Sequence, residues 1–146
     1  MTLPRPILRL GWACHRALHR LTGGRLSTEA PSPNHVGTLF LLSRGRKSGK
    51  IRRNGLFYIE DGPAFVVVAS NAGENVDPSW WRNLQVNPDA EVEIGARNVP
   101  VRARAASAEE ESRLVPELDK GYSGYARYRR QSLRHIPVVI LEPRPD

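Results

Sequence analysis

The spacing of apolar positions changes period once along this chain, near residue 35, and that change divides it. Residues 6–22 place Leu10, Cys14, Ala17, Leu18 and Leu21 roughly on one helical face, with Arg9, Arg16 and Arg20 on the other. Gly23-Gly24 is a natural helix stop. The Ser-, Thr-, Pro- and Asn-rich stretch 27–34 reads as a linker. From residue 35 the runs become strand-like: Val36–Leu42, then Gly55–Ile59, then Ala64–Ser70. The last two flank Glu60-Asp61-Gly62-Pro63, a turn signal that predicts a hairpin. Residues 78–86 predict a short helix with Asp77 as N-cap and Pro78 at its first position. Glu91–Ile94 and Val99–Ala105 alternate and form a second predicted hairpin, with Arg97-Asn98 near its turn. Ser107 to Glu110 is a capping box opening a helix, and Pro116 predicts a kink or split in it. Ile136–Leu141 closes the chain as a strand. About six mostly antiparallel strands with short helices between them predict an α+β chain built on a small barrel. The expected division is 1–34, a basic helix and linker, and 35–146, the barrel.

Composition adds further constraints. With 146 residues, 40% of them hydrophobic, the chain can bury a core as one domain. Cys14 is its single cysteine, so no internal disulfide or thiolate metal cluster is available, and a reducing cytoplasm is the natural setting. The net charge of +7 points to an anionic partner. No apolar stretch approaches the roughly 18 residues of a membrane span, and the basic residues of the N-terminal segment interrupt any signal-peptide core. The first acid in the chain is Glu29. The N-terminal helix is therefore expected to be a solvated arm or a lid on the barrel, or else a peripheral contact with the inner face of the cell membrane through residues 1–25.

Three groups of residues could carry chemistry. Between Arg44 and Arg53, six of ten residues are basic and two are glycines. Such a turn offers N–H groups and guanidinium forks to a phosphate or carboxylate. It is not a P-loop: three residues separate Gly45 from Gly49, and Ile51 stands where Ser or Thr is required. Trp80-Trp81 could stack on a planar ring or simply fill the core. Tyr122, Tyr125 and Tyr128 recur every three residues and could pack, or could donate hydrogen bonds to an acceptor oxygen that gains charge. The four histidines are scattered, so no metal site is expected, and no nucleophile elbow or Cys–His pair is present. An enzyme of this composition would depend on a bound cofactor.

Taken together, these residues resemble the deazaflavin-dependent nitroreductase family of the split β-barrel superfamily, found mainly in actinobacteria. The resemblance runs from about Thr38 to Pro143. It rests on Gly45-Arg46-Lys47-Ser48-Gly49, Arg53-Asn54-Gly55-Leu56, Val67-Val68-Ala69-Ser70, Pro78–Leu84 with Asn87-Pro88, and Ile136-Pro137-Val138-Val139. Two positions depart from the family pattern: Gly55, where proline is usual, and Trp81, where tyrosine or histidine is usual. The resemblance implies an FMN-binding split-barrel-like fold and coenzyme F420 as cofactor, with a quinone, nitroaromatic or similar organic acceptor. Arg46, Lys47, Ser48 and Arg53 would hold its phosphate and acidic tail. Asn54, Gly55, Leu56, Phe57, Val68, Ala69 and Ser70 would line the deazaflavin ring, and Ser79, Trp80, Trp81, Arg82 and Asn83 would complete the site. Tyr122, Tyr125 and Tyr128 would face the acceptor, with Tyr125 the first candidate for catalysis. FMN is the alternative cofactor, and a cofactor carrier without catalysis is a further alternative. A nucleic-acid-binding barrel is the rival from another class, disfavoured because the tryptophans fall on a helix and the basic residues on a turn.

Overall fold

The computed structural model describes residues 28–145, so the N-terminal helix expected over 6–22 lies outside the described residues. Six strands, β1 (Gly37–Arg44), β2 (Ile51–Asp61), β3 (Ala64–Val68), β4 (Asp89–Ile94), β5 (Arg97–Ala105) and β6 (Val138–Pro143), close a barrel in the order β1-β2-β3-β6-β5-β4. Every pairing is antiparallel. Between the strands lie α1 (Ser79–Val86), α2 (Ala108–Gly121), α3 (Gly124–Gln131) and a single 3-10 turn at Asn71–Gly73.

Strand periodicity sorts the apolar residues into two cores. Leu39, Leu41, Tyr58, Phe65, Val67, Val92, Val101, Val139 and Leu141 point into the barrel. Their sequence neighbours Ala64, Val66, Val138 and Ile140 point outward and are covered by Leu114, Leu118, Tyr125 and Tyr128. Because β3 and β6 are buried on both faces, AFVVV and VVIL read as continuous apolar runs rather than alternating ones. Helix α1 plugs the barrel: Trp80, Trp81 and Leu84 join the inner core. Each such buried aliphatic side chain contributes roughly 1.5–3 kcal/mol.

Four local expectations are corrected. Pro78, not Asp77, is the N-cap of α1, because the Asp77 carboxylate is held by Arg134 at 2.8 Å. Helix α2 runs through Pro116 without a break. Proline costs it one N–H donor, while Leu114 and Leu118 on the same face stay buried against the sheet. The second hairpin turns at Gly95, which has φ of 58°, with Arg97 beside the turn as expected, but β5 starts there rather than at Val99. The last strand starts at Val138, two residues later than expected, since Pro137 has no N–H for the ladder; its carbonyl accepts from the Ala69 amide at 3.0 Å.

The expected linker is stitched to the barrel from residue 28 on. The Gly95 amide donates to Thr28 Oγ1 at 2.8 Å, and Glu29 forms a bridge with Thr38. The strap crosses Gly37 so closely that a Cβ there would lie 2.5 Å from the Glu29 carbonyl oxygen.

Candidate cofactor site

The turn between β1 and β2 is closed by its own backbone. The Gly45 amide donates to the Lys50 carbonyl at 2.8 Å, and the Gly49 amide to the Gly45 carbonyl at 2.9 Å. Gly49 has φ of 72°, which a side chain would disfavour. Ser48 Oγ accepts from the Lys50 amide. The turn is pinned to α1 by Asn83: its buried Oδ1 accepts from the Arg46 amide at 3.1 Å and from Arg46 Nη1 at 2.8 Å. Lys47, Lys50 and Arg82 are exposed around this tie. Among the described residues no carboxylate is paired with any of the three. Uncompensated positive charge is therefore concentrated on a turn that cannot easily move.

Arg53, expected to share this role, is committed elsewhere. Its Nη2 donates to Glu93 at 2.7 Å and its guanidinium stacks 4.3 Å above the Phe40 ring. Farther along β2, Asn54 and Gly55 stand opposite Leu41 and Phe40, and Leu56 packs against the inner core. Phe57 faces the other way and meets the Tyr122 ring edge-on, with centroids 5.1 Å apart.

The end of β3 and the residues just after it, expected to line the ring, are divided between the two cores. Val68 belongs to the outer core and Ala69 to the inner one. The carbonyls of Ala69 and Ser70 both accept from Arg134, at 2.9 and 3.2 Å. Ser79 is exposed at the start of α1, whereas Trp80 and Trp81 are each only 6% exposed and fill the barrel. Both indoles are core residues here, so either one could meet a bound ring only as the floor of a site. A nucleic-acid surface needs exposed stacking rings, and these two are not exposed.

The tyrosines gather on the outer face. Tyr122 caps α2 and is partly exposed, while Tyr125 and Tyr128 of α3 are buried. The Tyr122 and Tyr128 hydroxyls lie 3.0 Å apart, and the Tyr122 ring meets Tyr125 edge-on at 5.0 Å. Gly124 is required beneath this stack, since a Cβ there would come within 2.5 Å of the Tyr122 ring. Burial, then the bond to Tyr128, pushes the Tyr122 phenol up to about 12. Burial raises Tyr125 further. Both phenols are neutral near pH 7, as a hydrogen-bond donor must be.

The structure thus links the three sequence regions. Arg46 to Asn83 joins the basic turn to α1, Phe57 to Tyr122 joins β2 to the tyrosines, and Arg134 joins the segment 69–77 to the chain after α3. Arg134 escaped sequence reasoning because in Ser132–Val138 it resembles any other surface arginine. Asn71 and Gly73, which tolerate left-handed backbone, were the only sequence signal of the unusual turn beside it.

A closed barrel plugged by a helix, with a polycationic turn pinned to that helix and a group of neutral phenols on the outer face, is a framework on which a small anionic cofactor could be held. Residues 13–143 match the F420H(2)-dependent quinone reductase family, and the chain belongs to that family. Rv3178 of Mycobacterium tuberculosis is 44% identical over 109 residues, which cover 75% of this chain and 92% of that protein. The F420H(2)-dependent quinone reductase Rv1261c of the same organism is 32% identical over 133 residues, covering 89% of this chain and 88% of that protein. Among solved structures, an F420-H2 dependent reductase (FDR-A) superimposes with a TM-score of 0.66 at 33% identity, covering 72% of this chain and 93% of that one.

Proposed function

We propose that the protein binds coenzyme F420 and reduces a quinone, nitroaromatic or similar organic acceptor with it. The carrying observation is the Asn83-pinned turn, whose unpaired cations suit a cofactor bearing a phosphodiester and several carboxylates. In this reading Arg46, Lys47 and Ser48 hold that tail, and exposed Arg82 adds charge. Arg53 reaches an anion only by giving up Glu93. Asn54, Gly55, Leu56 and Phe57, with Val68, Ala69 and Ser70, line the ring. Ser79, Trp80, Trp81 and Asn83 support it, the tryptophans through packing and Asn83 through Arg46.

When bound in its reduced form, the coenzyme supplies a hydride, which with one proton takes a quinone to a hydroquinone. The protein's own contribution is placement and polarity. One of the paired hydroxyls of Tyr122 and Tyr128 donates to the other, which keeps its own proton to direct at an acceptor oxygen. Tyr122, being partly exposed, is the better placed of the three, and Tyr125 supports its ring from behind. A neutral donor stabilises the forming oxyanion without repelling hydride.

Absorbance titration of the purified protein with F420, FMN and an oligonucleotide tests this reading, followed by menadione reduction with the reduced deazaflavin. Tight binding of F420 alone, with turnover, is the expected result. Preference for FMN or the oligonucleotide would overturn it, and binding without turnover would make the protein a carrier.

We further propose that residues 1–25, with five arginines and no acid, contact anionic lipid and bring the site near lipophilic quinones. No helix among the described residues is long and apolar enough to cross a membrane.

A further inference from the structure

Three consecutive residues between β3 and α1 have left-handed backbone: Asn71 at φ 47°, Ala72 at 57° and Gly73 at 81°. Glycine adopts this conformation freely and asparagine tolerates it, but alanine resists it, and a run of three is rarer than a single residue. Such a turn persists only where its surroundings over-determine it. Here Asn71 Nδ2 donates to the Val76 carbonyl at 3.0 Å and the Gly73 amide to the Ser70 carbonyl at 2.9 Å, but the side chain that makes the most bonds to the segment is that of Arg134. Arg134, 16% exposed, donates from Nη2 to the carbonyls of Ala69 and Ser70 at 2.9 and 3.2 Å. Its Nε donates to the Glu74 carbonyl at 3.0 Å, and its Nη1 to Asp77 Oδ1 at 2.8 Å. One planar fork therefore grips the segment both before and after the left-handed turn. A lysine ammonium, a point donor on a flexible stem, has no equivalent geometry. The neighbouring Leu133 amide adds a bond to Asn75 Oδ1 at 2.8 Å.

The segment so gripped has two faces that matter. Its first residues, Ala69 and Ser70, belong to the ring-lining wall. Its Gly73 packs on α3, where a Cβ would sit 3.3 Å from both the Tyr128 Cα and its ring. We propose that Arg134 is a positioning residue: it sets the segment 69–77 around its left-handed turn at 71–73, and through it the spacing between the deazaflavin wall and the tyrosine wall. Its Nε, Nη1 and Nη2 are all engaged by protein acceptors, so its action is through the loop. The proposal rests on the cofactor reading above for its functional consequence, but the grip on the loop does not depend on that reading.

The test compares Arg134→Ala and Arg134→Lys with Arg104→Ala, a control that breaks the ion pairs of Arg104 with Glu110 and Glu142, neither of which bonds to segment 69–77. Backbone amide exchange over residues 70–77, measured without cofactor, is expected to rise at least tenfold in both Arg134 variants and to stay at wild-type rates in Arg104→Ala. F420 affinity is expected to fall at least tenfold in both Arg134 variants, with the Arg104 variant binding like wild type. Added ethylguanidinium should restore part of the protection and affinity to Arg134→Ala and do nothing for wild type. Unchanged exchange in folded Arg134→Ala, or full recovery of both readouts in Arg134→Lys, would overturn the inference. Failure of the wild-type protein to bind F420 would instead overturn the reading of the site, with the exchange result still deciding the role of Arg134 in the loop.

Discussion

At the scale of single residues, the site divides into groups that would meet ligand and groups that hold them. Lys47 is exposed on the rigid turn, and Asn83 is buried beneath it. Charge-assisted hydrogen bonds contribute roughly 1.5–3 kcal/mol, so Lys47→Glu should weaken F420 binding by more than about tenfold, with like-charge repulsion adding to the loss. Substituting Arg5 or Arg9 should have far less effect. Asn83→Ala should also weaken binding, although Asn83 carries no charge, because it frees the Arg46 turn. Fluorescence titration of the three variants checks this; equal affinities throughout would remove the turn from the site. The tyrosines make the second prediction. Tyr122→Phe or Tyr128→Phe removes a partner from the 3.0 Å hydroxyl pair and keeps the ring. Turnover with menadione should fall on the order of tenfold to a thousandfold, with cofactor affinity near wild type. Tyr125→Phe should fall less, since that phenol is the most deeply buried. Three Phe variants at full turnover would make the trio packing residues. Because Tyr122 is held near 12, its ionisation should leave no mark on the rate up to about pH 10.

At the scale of elements, α2 offers the clearest test of stability. Its capping box is complete: Ser107 Oγ accepts from the Glu110 amide, and Glu110 Oε1 accepts from the Ser107 amide. Ser107→Ala should cost about 1 kcal/mol in urea unfolding. Glu110 also receives both Arg104 terminal nitrogens, at 2.7 and 2.8 Å. Arg104, then the Ser107 amide, holds its carboxyl down at about 2, below the ordinary 4.5. A carboxylate depressed on folding stabilises above its unfolded pKa, and that stabilisation is lost as pH falls toward the folded one. Wild type should therefore lose stability between about pH 4.5 and 2, and Glu110→Gln should lose less over the same interval. Urea midpoints at pH 7, 4 and 3 measure the difference; parallel curves for the two proteins would contradict it. Pro116 carries the opposite lesson for the same helix, since burial of Leu114 and Leu118 on either side preserves a helix that local preference would break.

For the whole molecule, charge is the governing quantity. The barrel surface ties many of its arginines to acids, as in Arg113 with Asp61 and Arg129 with Asp119, while among the described residues no carboxylate pairs with Lys47 or Lys50 of the β1–β2 turn. F420 affinity should therefore fall steadily as salt rises, because exposed charges are screened over roughly 8–10 Å near physiological ionic strength. The same screening should release the protein from anionic vesicles if residues 1–25 contact lipid. Co-sedimentation unchanged by deleting residues 1–30 would sink that contact while leaving the cofactor reading intact.

Short apolar runs, period-2 alternation in β4 and β5, turn residues and the Ser107 cap made the six strands, both hairpins and the start of α2 legible in the sequence, because each depends on neighbours a few positions away. The basic turn was legible for the same reason: six basic residues in ten stand out without any fold. What the sequence could not decide was which side chains those groups meet. Trp80 and Trp81 are adjacent on a short helix, and only closure of the barrel around α1 places both indoles inside. Arg53 lies beside the basic turn, yet pairing of β1 with β4 brings Glu93 across to neutralise it. Asp77 looks like a helix cap until Arg134, 57 positions later, takes its carboxylate. Local backbone preferences are written in short stretches of sequence, whereas the pairing of charges and the burial of rings depend on residues that only the closed barrel brings within a few ångströms.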